Sequence, residues 1–213
     1  MTQMADPSAA IHFFVELTMT HRLRPLFTAS VLWCLAYTSG FAQDVEAGRA
    51  KSAPCAACHG ADGNAVASTF PNLAGQNWRY IYLQLKDFKE GRRTNPLMTP
   101  MAQALSRQDM IDLGNFFAAQ KAKPSSFNAD ETKIKLGKAK ADETLCAMCH
   151  LGGFAGQNEI PKVAGQQFDY IVLQLRNFKA RTRTNDAGNM TSVAQTLSET
   201  DIDNLAHYIT SLR

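Results

Sequence analysis

Two pentapeptides, Cys55-Ala-Ala-Cys58-His59 and Cys146-Ala-Met-Cys149-His150, stand about 90 residues apart in a chain of 213. Their surroundings repeat with them. Tyr80–Lys89 matches Tyr170–Lys179 at seven of ten positions. Pro71-Asn-Leu-Ala-Gly-Gln76 matches Pro161-Lys-Val-Ala-Gly-Gln166, and Arg93-Thr94-Asn95 matches Arg183-Thr184-Asn185. Ala102–Ser106 matches Ala194–Ser198 in four of its five residues. A chain duplicated in this way reads as two homologous domains, 43–125 and 126–213, joined through the polar stretch Lys121–Thr132. Domains of about 80–90 residues bury only a modest part of their surface, so a large bound group would help complete each core.

The apolar periodicity is helical throughout. Trp78, Ile81, Tyr82, Leu85 and Phe88 share one helical face, as do Phe168, Ile171, Val172, Leu175 and Phe178. The last helix of each half opens on a capping signal, Ser106-x-x-Asp109 and Ser198-x-x-Asp201. These helices are expected to bury Met110, Leu113 and Phe116/Phe117 in one half and Ile202, Leu205, Tyr208 and Ile209 in the other. A short helix before each cysteine motif carries a glycine, Gly48 or Gly137, which costs about 1 kcal/mol in a helix interior. Close helix contact can offset that cost, so Gly48 is expected to meet Phe116 and Gly137 to meet Tyr208. No alternating strand pattern competes; the expected class is all-α.

Residues 1–42 read as an export signal rather than as fold. His21, Arg22 and Arg24 form a basic start, Leu26–Tyr37 is mostly apolar, and Ser39-Gly40-Phe41-Ala42 supplies small residues for cleavage after Ala42. The apolar run is short for a membrane span of about 20 residues, although an uncleaved anchor is the alternative. Met19 is a candidate start, and Trp33 argues against lipid attachment at Cys34. The expected fate of the chain is export. The remaining four cysteines all belong to the two motifs, although an oxidising compartment would also permit two disulfides.

Cys-x-x-Cys-His is the attachment signature of c-type haem. Two thiols three residues apart on a helical turn can reach the two vinyl groups on one porphyrin edge, and the adjacent imidazole then faces the iron. A zinc site would need four protein ligands, and each half offers one Cys, Cys, His set. A thiol-redox motif would be expected in a βαβ setting, which the helical pattern does not provide. The expectation is therefore two haem c groups held covalently by Cys55, Cys58, Cys146 and Cys149, with His59 and His150 on the irons.

The sixth ligand separates a carrier from an enzyme, because an open iron invites oxygen or peroxide chemistry. After Cys149 the only methionine is Met190, and the repeat places Met98 against it, with Met101 in reserve. Met110 falls on an apolar helix face. Bis-histidine ligation is excluded within the first half, which holds no histidine but His59. His207, on the last helix at the place of Asn115, reads as a solvated residue. An axial imidazole usually donates its other N–H to a carbonyl, and the rigid Pro71 and Pro161, a dozen or so residues on, are the candidates. Tyr80, Tyr170, Trp78, Arg93 and Arg183 can reach haem propionates, although core packing or solvation fits their positions equally.

The formal charge is +3, carried by 43–125 with ten basic and seven acidic residues, while 126–213 balances at ten each. Nothing in that balance points to nucleic acid. With these residues in view, residues 44–213 resemble the cytochrome c4 family, periplasmic dihaem proteins built from two class I cytochrome c domains. The resemblance rests on the two cysteine motifs, the Pro-x-x-Ala-Gly-Gln segments, Gln84-Leu85 and Gln174-Leu175, and Met98 and Met190. It implies two His/Met haems packed through a domain interface near their propionate edges. It also implies that the chain is no enzyme but a monomeric carrier passing electrons from a donor such as a bc1-type complex to a terminal haem–copper oxidase, with membrane association only through such partners. The Asn185–Met190 loop departs by two extra residues relative to Asn95–Met98. Rival readings are a dihaem peroxidase, a thiosulfate-oxidising dehydrogenase and a subunit docked permanently on a membrane dehydrogenase.

Overall fold

A computed structural model describes residues 45–213, which lie within one compact unit, Gln43–Arg213. The export signal, its cleavage point, Met19 and Cys34 lie outside the described residues. The first half runs through α1 (Val45–Lys51), α2 (Ala56–His59), α3 (Trp78–Lys89), α4 (Met98–Gln103) and α5 (Arg107–Ala118). The second repeats the series as α6 (Glu131–Glu143), α7 (Cys146–His150), α8 (Phe168–Lys179), α9 (Asn189–Thr196) and α10 (Glu199–Ser211). Short 3-10 turns lie at Ala53–Cys55 and Gly152–Phe154. Among the described residues there is no strand, only an isolated bridge between Gln157 and Ile160.

The pairing of first and last helix organises each half. α1 packs on α5 and α6 on α10, and the two glycines allow it. A Cβ on Gly48 would lie 2.6 Å from Phe116 Cβ, and one on Gly137 would lie 2.8 Å from Tyr208 Cβ. Both expected contacts are therefore present, and the opposing backbone carbonyls of Asp112 and Asn204 lie closer still. Lys51 pairs with Asp109 at 2.9 Å across the first contact, and Lys140 faces Asp201 at 3.7 Å across the second. Such part-exposed pairs add little energy but repeat the register.

Both capping boxes form. Ser106 Oγ accepts from Asp109 N–H at 3.1 Å while Asp109 accepts from Ser106 N–H at 2.8 Å. Ser198 and Asp201 repeat the exchange at 3.0 and 2.8 Å. Alanine at Ser106 is expected to cost about 1 kcal/mol in chemical denaturation.

Each half has its own core. Ile81, Leu113, Phe116 and Phe117 centre the first, and Leu175, Leu197, Ile202 and Leu205 lie at the heart of the second. Met110 is buried, and Tyr208 is partly buried. Trp78 departs from the expected apolar face: it is 37% exposed, while its backbone carbonyl lies under Gly114 of α5.

His207 is not solvated as the sequence suggested, but buried. The connector between the halves folds back over α10, so Phe127 stacks on Phe168 at 4.2 Å and the imidazole packs at an angle against both rings, at 5.2 and 4.9 Å. His207 Nδ1 accepts from the Asp130 N–H at 3.0 Å, at the start of α6. Burial lowers the pKa of this imidazole and Lys133 adds to that, against Asp203 and Asp130. The unfolded chain takes up the proton near about pH 6.5 and the folded chain only below it, so stability is full above that value and falls as pH drops through it. The expected result is that His207→Asn, the first half's own residue here, flattens this part of the curve of unfolding midpoint against pH.

Candidate haem sites

Each site grows from a helix too short to stand alone. α2 and α7 carry the second thiol and the histidine on one turn, and both end on the imidazole. Both imidazoles are buried. His59 Nδ1 donates to the Pro71 carbonyl at 3.0 Å, and His150 Nδ1 donates to the Pro161 carbonyl at 2.9 Å. A carbonyl can only accept, so the proton sits on Nδ1 and Nε2 keeps its lone pair for a metal. Burial lowers both imidazole pKa values, with the carbonyl bonds opposing, which favours this neutral form.

The proline segments are held where the histidines need them. Leu73 and Ala74 donate to the Gly63 carbonyl at 2.7 and 3.0 Å, and Gly75 donates to Phe117 in α5 at 2.9 Å. In the second half Val163 and Ala164 donate to Phe154 at 2.9 and 3.2 Å, and Gly165 to Ile209 in α10 at 3.0 Å. At two positions the second half uses other residues where the first has glycine: Leu151, directly after His150, has φ 62°, and Phe154 has φ 58°, where the first half has Gly60 and Gly63. Such conformations cost of the order of 1–3 kcal/mol each and persist only where the surroundings enforce them.

Cys55, Cys58, Cys146 and Cys149 form no disulfide with one another. Cys55 and Cys146 lie against the two apolar cores, where burial raises their pKa. Met98 opens α4, Met190 is the second residue of α9, and both are half-buried; Met190 packs against the second core, and Met101 is 44% exposed. The loops before the two methionines are set differently. Asn95 accepts from Met98 N–H at 2.9 Å, whereas the longer second loop uses Asp186, which accepts from Thr191 N–H at 2.6 Å.

Across the contact between the halves, Tyr80, Tyr170, Arg93 and Arg183 meet with Gln84 and Gln174. Arg93 donates to its own Gln84 at 2.7 Å and to Tyr170 and Gln174 at 3.1 Å. Arg183 mirrors it, donating to its own Gln174 at 2.8 Å and to Tyr80 and Gln84 at 3.1 Å. Burial alone would raise the Tyr170 hydroxyl, but the two guanidinium groups hold it below its ordinary value. Sequence reasoning named both tyrosines and arginines without pairing them across the halves. It passed over Gln76 and Gln166 as site residues, although their recurrence at the end of Pro-x-x-Ala-Gly-Gln was the available signal.

The residues present suit haem. Each half offers two cysteines three residues apart and outside any disulfide, a buried imidazole with Nε2 unspent, and an apolar cluster touching the first cysteine. Among the described residues no three His, Cys, Asp or Glu side chains gather to hold a bare metal ion.

The family model for cytochrome c matches twice, at 45–121 and 134–213. Cytochrome c4 of Pseudomonas aeruginosa is 40% identical over 187 residues, covering 84% of this chain and 92% of the relative. The chain belongs to the cytochrome c4 family. The crystal structure of reduced recombinant cytochrome c4 from Pseudomonas stutzeri agrees at a TM-score of 0.75 and 38% identity, covering 80% of this chain and 99% of that one. A thiosulfate dehydrogenase electron acceptor of Stutzerimonas stutzeri is 34% identical, covering 74% of this chain and 78% of its own length. The fold is two cytochrome c domains, all-helical apart from loops, and the chain binds two covalent haem c groups as a dihaem electron carrier.

Proposed function

We propose that the chain carries single electrons between respiratory redox proteins in the periplasm, through two haems each held by one histidine and one methionine. His59 with Met98 and His150 with Met190 are the axial pairs, with Cys55, Cys58, Cys146 and Cys149 as the thioether attachments. The domains are 43–125 and 126–213, following an export signal cleaved after Ala42. Bound haem supplies a one-electron iron couple. The chain supplies the rest. Pro71 and Pro161 fix each imidazole's tautomer and ring plane, which limits rearrangement as charge changes. The apolar cores pack against the first cysteine of each motif, Cys55 and Cys146. Tyr80, Tyr170, Arg93 and Arg183 offer hydroxyl and guanidinium donors for haem carboxylates at the contact between the halves. Among the described residues no helix is long and apolar enough to cross a membrane.

The observation that carries this reading is the arrangement made twice, with a buried imidazole committed through Nδ1 to a proline carbonyl beside two cysteines that form no disulfide. Donor and acceptor are proposed as a bc1-type complex and a terminal haem–copper oxidase, reached by a monomer that performs no reaction of its own. A second reading is favoured by the relative named as a thiosulfate dehydrogenase electron acceptor, namely that the donor is a sulfur-oxidising enzyme.

Purification of the exported protein tests the main reading. The expected product has the mass of residues 43–213 plus two haems, a two-electron titration, and the far-red charge-transfer band of methionine bound to ferric iron. One haem per chain, or an iron that binds cyanide rapidly in the native protein, would overturn it. Reduction by each donor candidate in stopped flow separates the two readings.

A further inference from the structure

One group of interactions between the halves is not used by the reading above. Gln166 Oε1 accepts from the Asn72 N–H at 2.7 Å, and its Nε2 donates to the Asn72 carbonyl at 3.0 Å. Gln76 does the same in reverse: Oε1 accepts from the Lys162 N–H at 2.9 Å, and Nε2 donates to the Lys162 carbonyl at 2.8 Å. Both glutamines are buried. Each amide therefore clamps one residue of the opposite half through that residue's backbone, which is why Asn72 and Lys162 can differ in side chain while the glutamines recur.

The clamped residue is not arbitrary. The Asn72 N–H and the Pro71 carbonyl belong to one peptide unit, and that carbonyl takes the Nδ1 proton of His59. The Lys162 N–H and the Pro161 carbonyl likewise share a unit, and that carbonyl takes the proton of His150. Amide resonance links the two ends of a peptide unit, so donation from its N–H makes its oxygen a stronger acceptor. A stronger acceptor draws the Nδ1 proton further and makes the imidazole a better donor to a metal. Two chains result, each crossing between the halves: imidazole, proline carbonyl, peptide N–H, glutamine of the other half.

Resting on His59 and His150 as the axial ligands proposed above, we infer that Gln166 and Gln76 are cross-domain positioning residues: each sets, from the opposite half, the hydrogen bond that tunes the other half's iron. Gln166 acts on the haem of the first half and Gln76 on that of the second. Loss of either weakens one imidazole's donation, destabilises the ferric form there, and raises one couple. The influence is crossed, which sets it apart from a glutamine that merely supports its own loop.

The test is Gln166→Met and Gln76→Met in the haem-loaded protein, with Ser68→Ala as the control. Ser68 bonds Asp169 across the same contact without touching either proline unit. Each couple is followed by NMR through its own axial histidine. Gln166→Met is expected to raise the ferrous-to-ferric ratio of the His59 haem at fixed potential at least about twofold, about 18 mV for a one-electron couple. The His59 Nδ1–H resonance of the ferrous protein moves upfield and exchanges faster, while the His150 resonance stays. Gln76→Met gives the reverse assignment, and Ser68→Ala moves neither. Should a methionine variant fail to load haem, Gln166→Glu keeps an acceptor oxygen for Asn72, and the His59 proton is expected to move downfield. Shifts confined to the substituted half, equal shifts in both, or unmoved resonances in all variants overturn the inference. Wild-type protein lacking an axial-histidine Nδ1–H signal from either half overturns the ligation reading instead.

Discussion

Alanine at Gly137 is expected to cost about 3 kcal/mol or more. Its Cβ would lie 2.6 Å from the Asn204 carbonyl carbon and 2.8 Å from Tyr208 Cβ. Two helix backbones meet there, so no flexible side chain can swing away, and α6 must lift from α10. Helix propensity pulls the other way, by only about 1 kcal/mol in favour of alanine. Set against a typical stability of about 5–15 kcal/mol, the loss is large. In a chain of this size it corresponds to about 10 °C in melting midpoint. The measurement is thermal and denaturant unfolding of the haem-loaded protein, with Gly152→Ala as the reference, since a Cβ there meets nothing within 4 Å. Gly48→Ala is expected to behave like Gly137→Ala, because the Asp112 backbone and Phe116 occupy the matching space. A loss below about 1 kcal/mol would mean that the helix pair is loosely packed and that the glycine serves another purpose.

Met190→Ala is expected to turn one closed haem into a ligand-binding one. The variant should bind cyanide in the ferric state and carbon monoxide in the ferrous state, with half of the far-red charge-transfer band lost. The couple of the second half should fall by a few tenths of a volt, within the range of about 0.8 V that axial ligands span. The direction follows from the thioether, which favours the ferrous form and raises the potential. Met190 packs against the second core at the start of α9, so its removal also opens an apolar gap. Met190→His separates the two effects, since imidazole refills the position, restores a closed iron and still lowers the couple. Met98→Ala is expected to act the same way in the first half, and Met101→Ala, at an exposed site, to change neither spectrum nor potential. If Met101→Ala removed the band instead, the axial assignment of the first half would pass to Met101. Rapid cyanide binding by the native protein would favour an enzyme with an exchangeable iron position.

Much of this protein is written locally. The cysteine spacing places two thiols and an imidazole on a single helical turn, the 3.6-residue periodicity marks which faces go inward, and serine–aspartate pairs mark where α5 and α10 begin. The duplication then lets one half annotate the other, which is how Gly48 and Gly137 disclosed their contacts and Met98 could be set against Met190. These features are legible because each depends on residues a few positions apart, or on the same few positions met twice.

Other features depend on which surfaces come to face one another. His207 looks like a solvated helix histidine until the connector folds back and buries it against the stacked rings of Phe127 and Phe168. Leu151 gives no warning that it must take the backbone conformation that Gly60 holds in the first half. The exchange of Tyr80 and Tyr170 between Arg183 and Arg93, and the clamps of Gln76 and Gln166, join residues about 90 positions apart. The clamps in particular bind backbone groups, which every residue possesses, so their partners leave no mark in the amino-acid pattern. The cysteine–histidine turns, helices and helix contacts were thus encoded by short-range spacing, whereas the wiring between the two halves came only from the packing that brings distant peptide groups within hydrogen-bond reach.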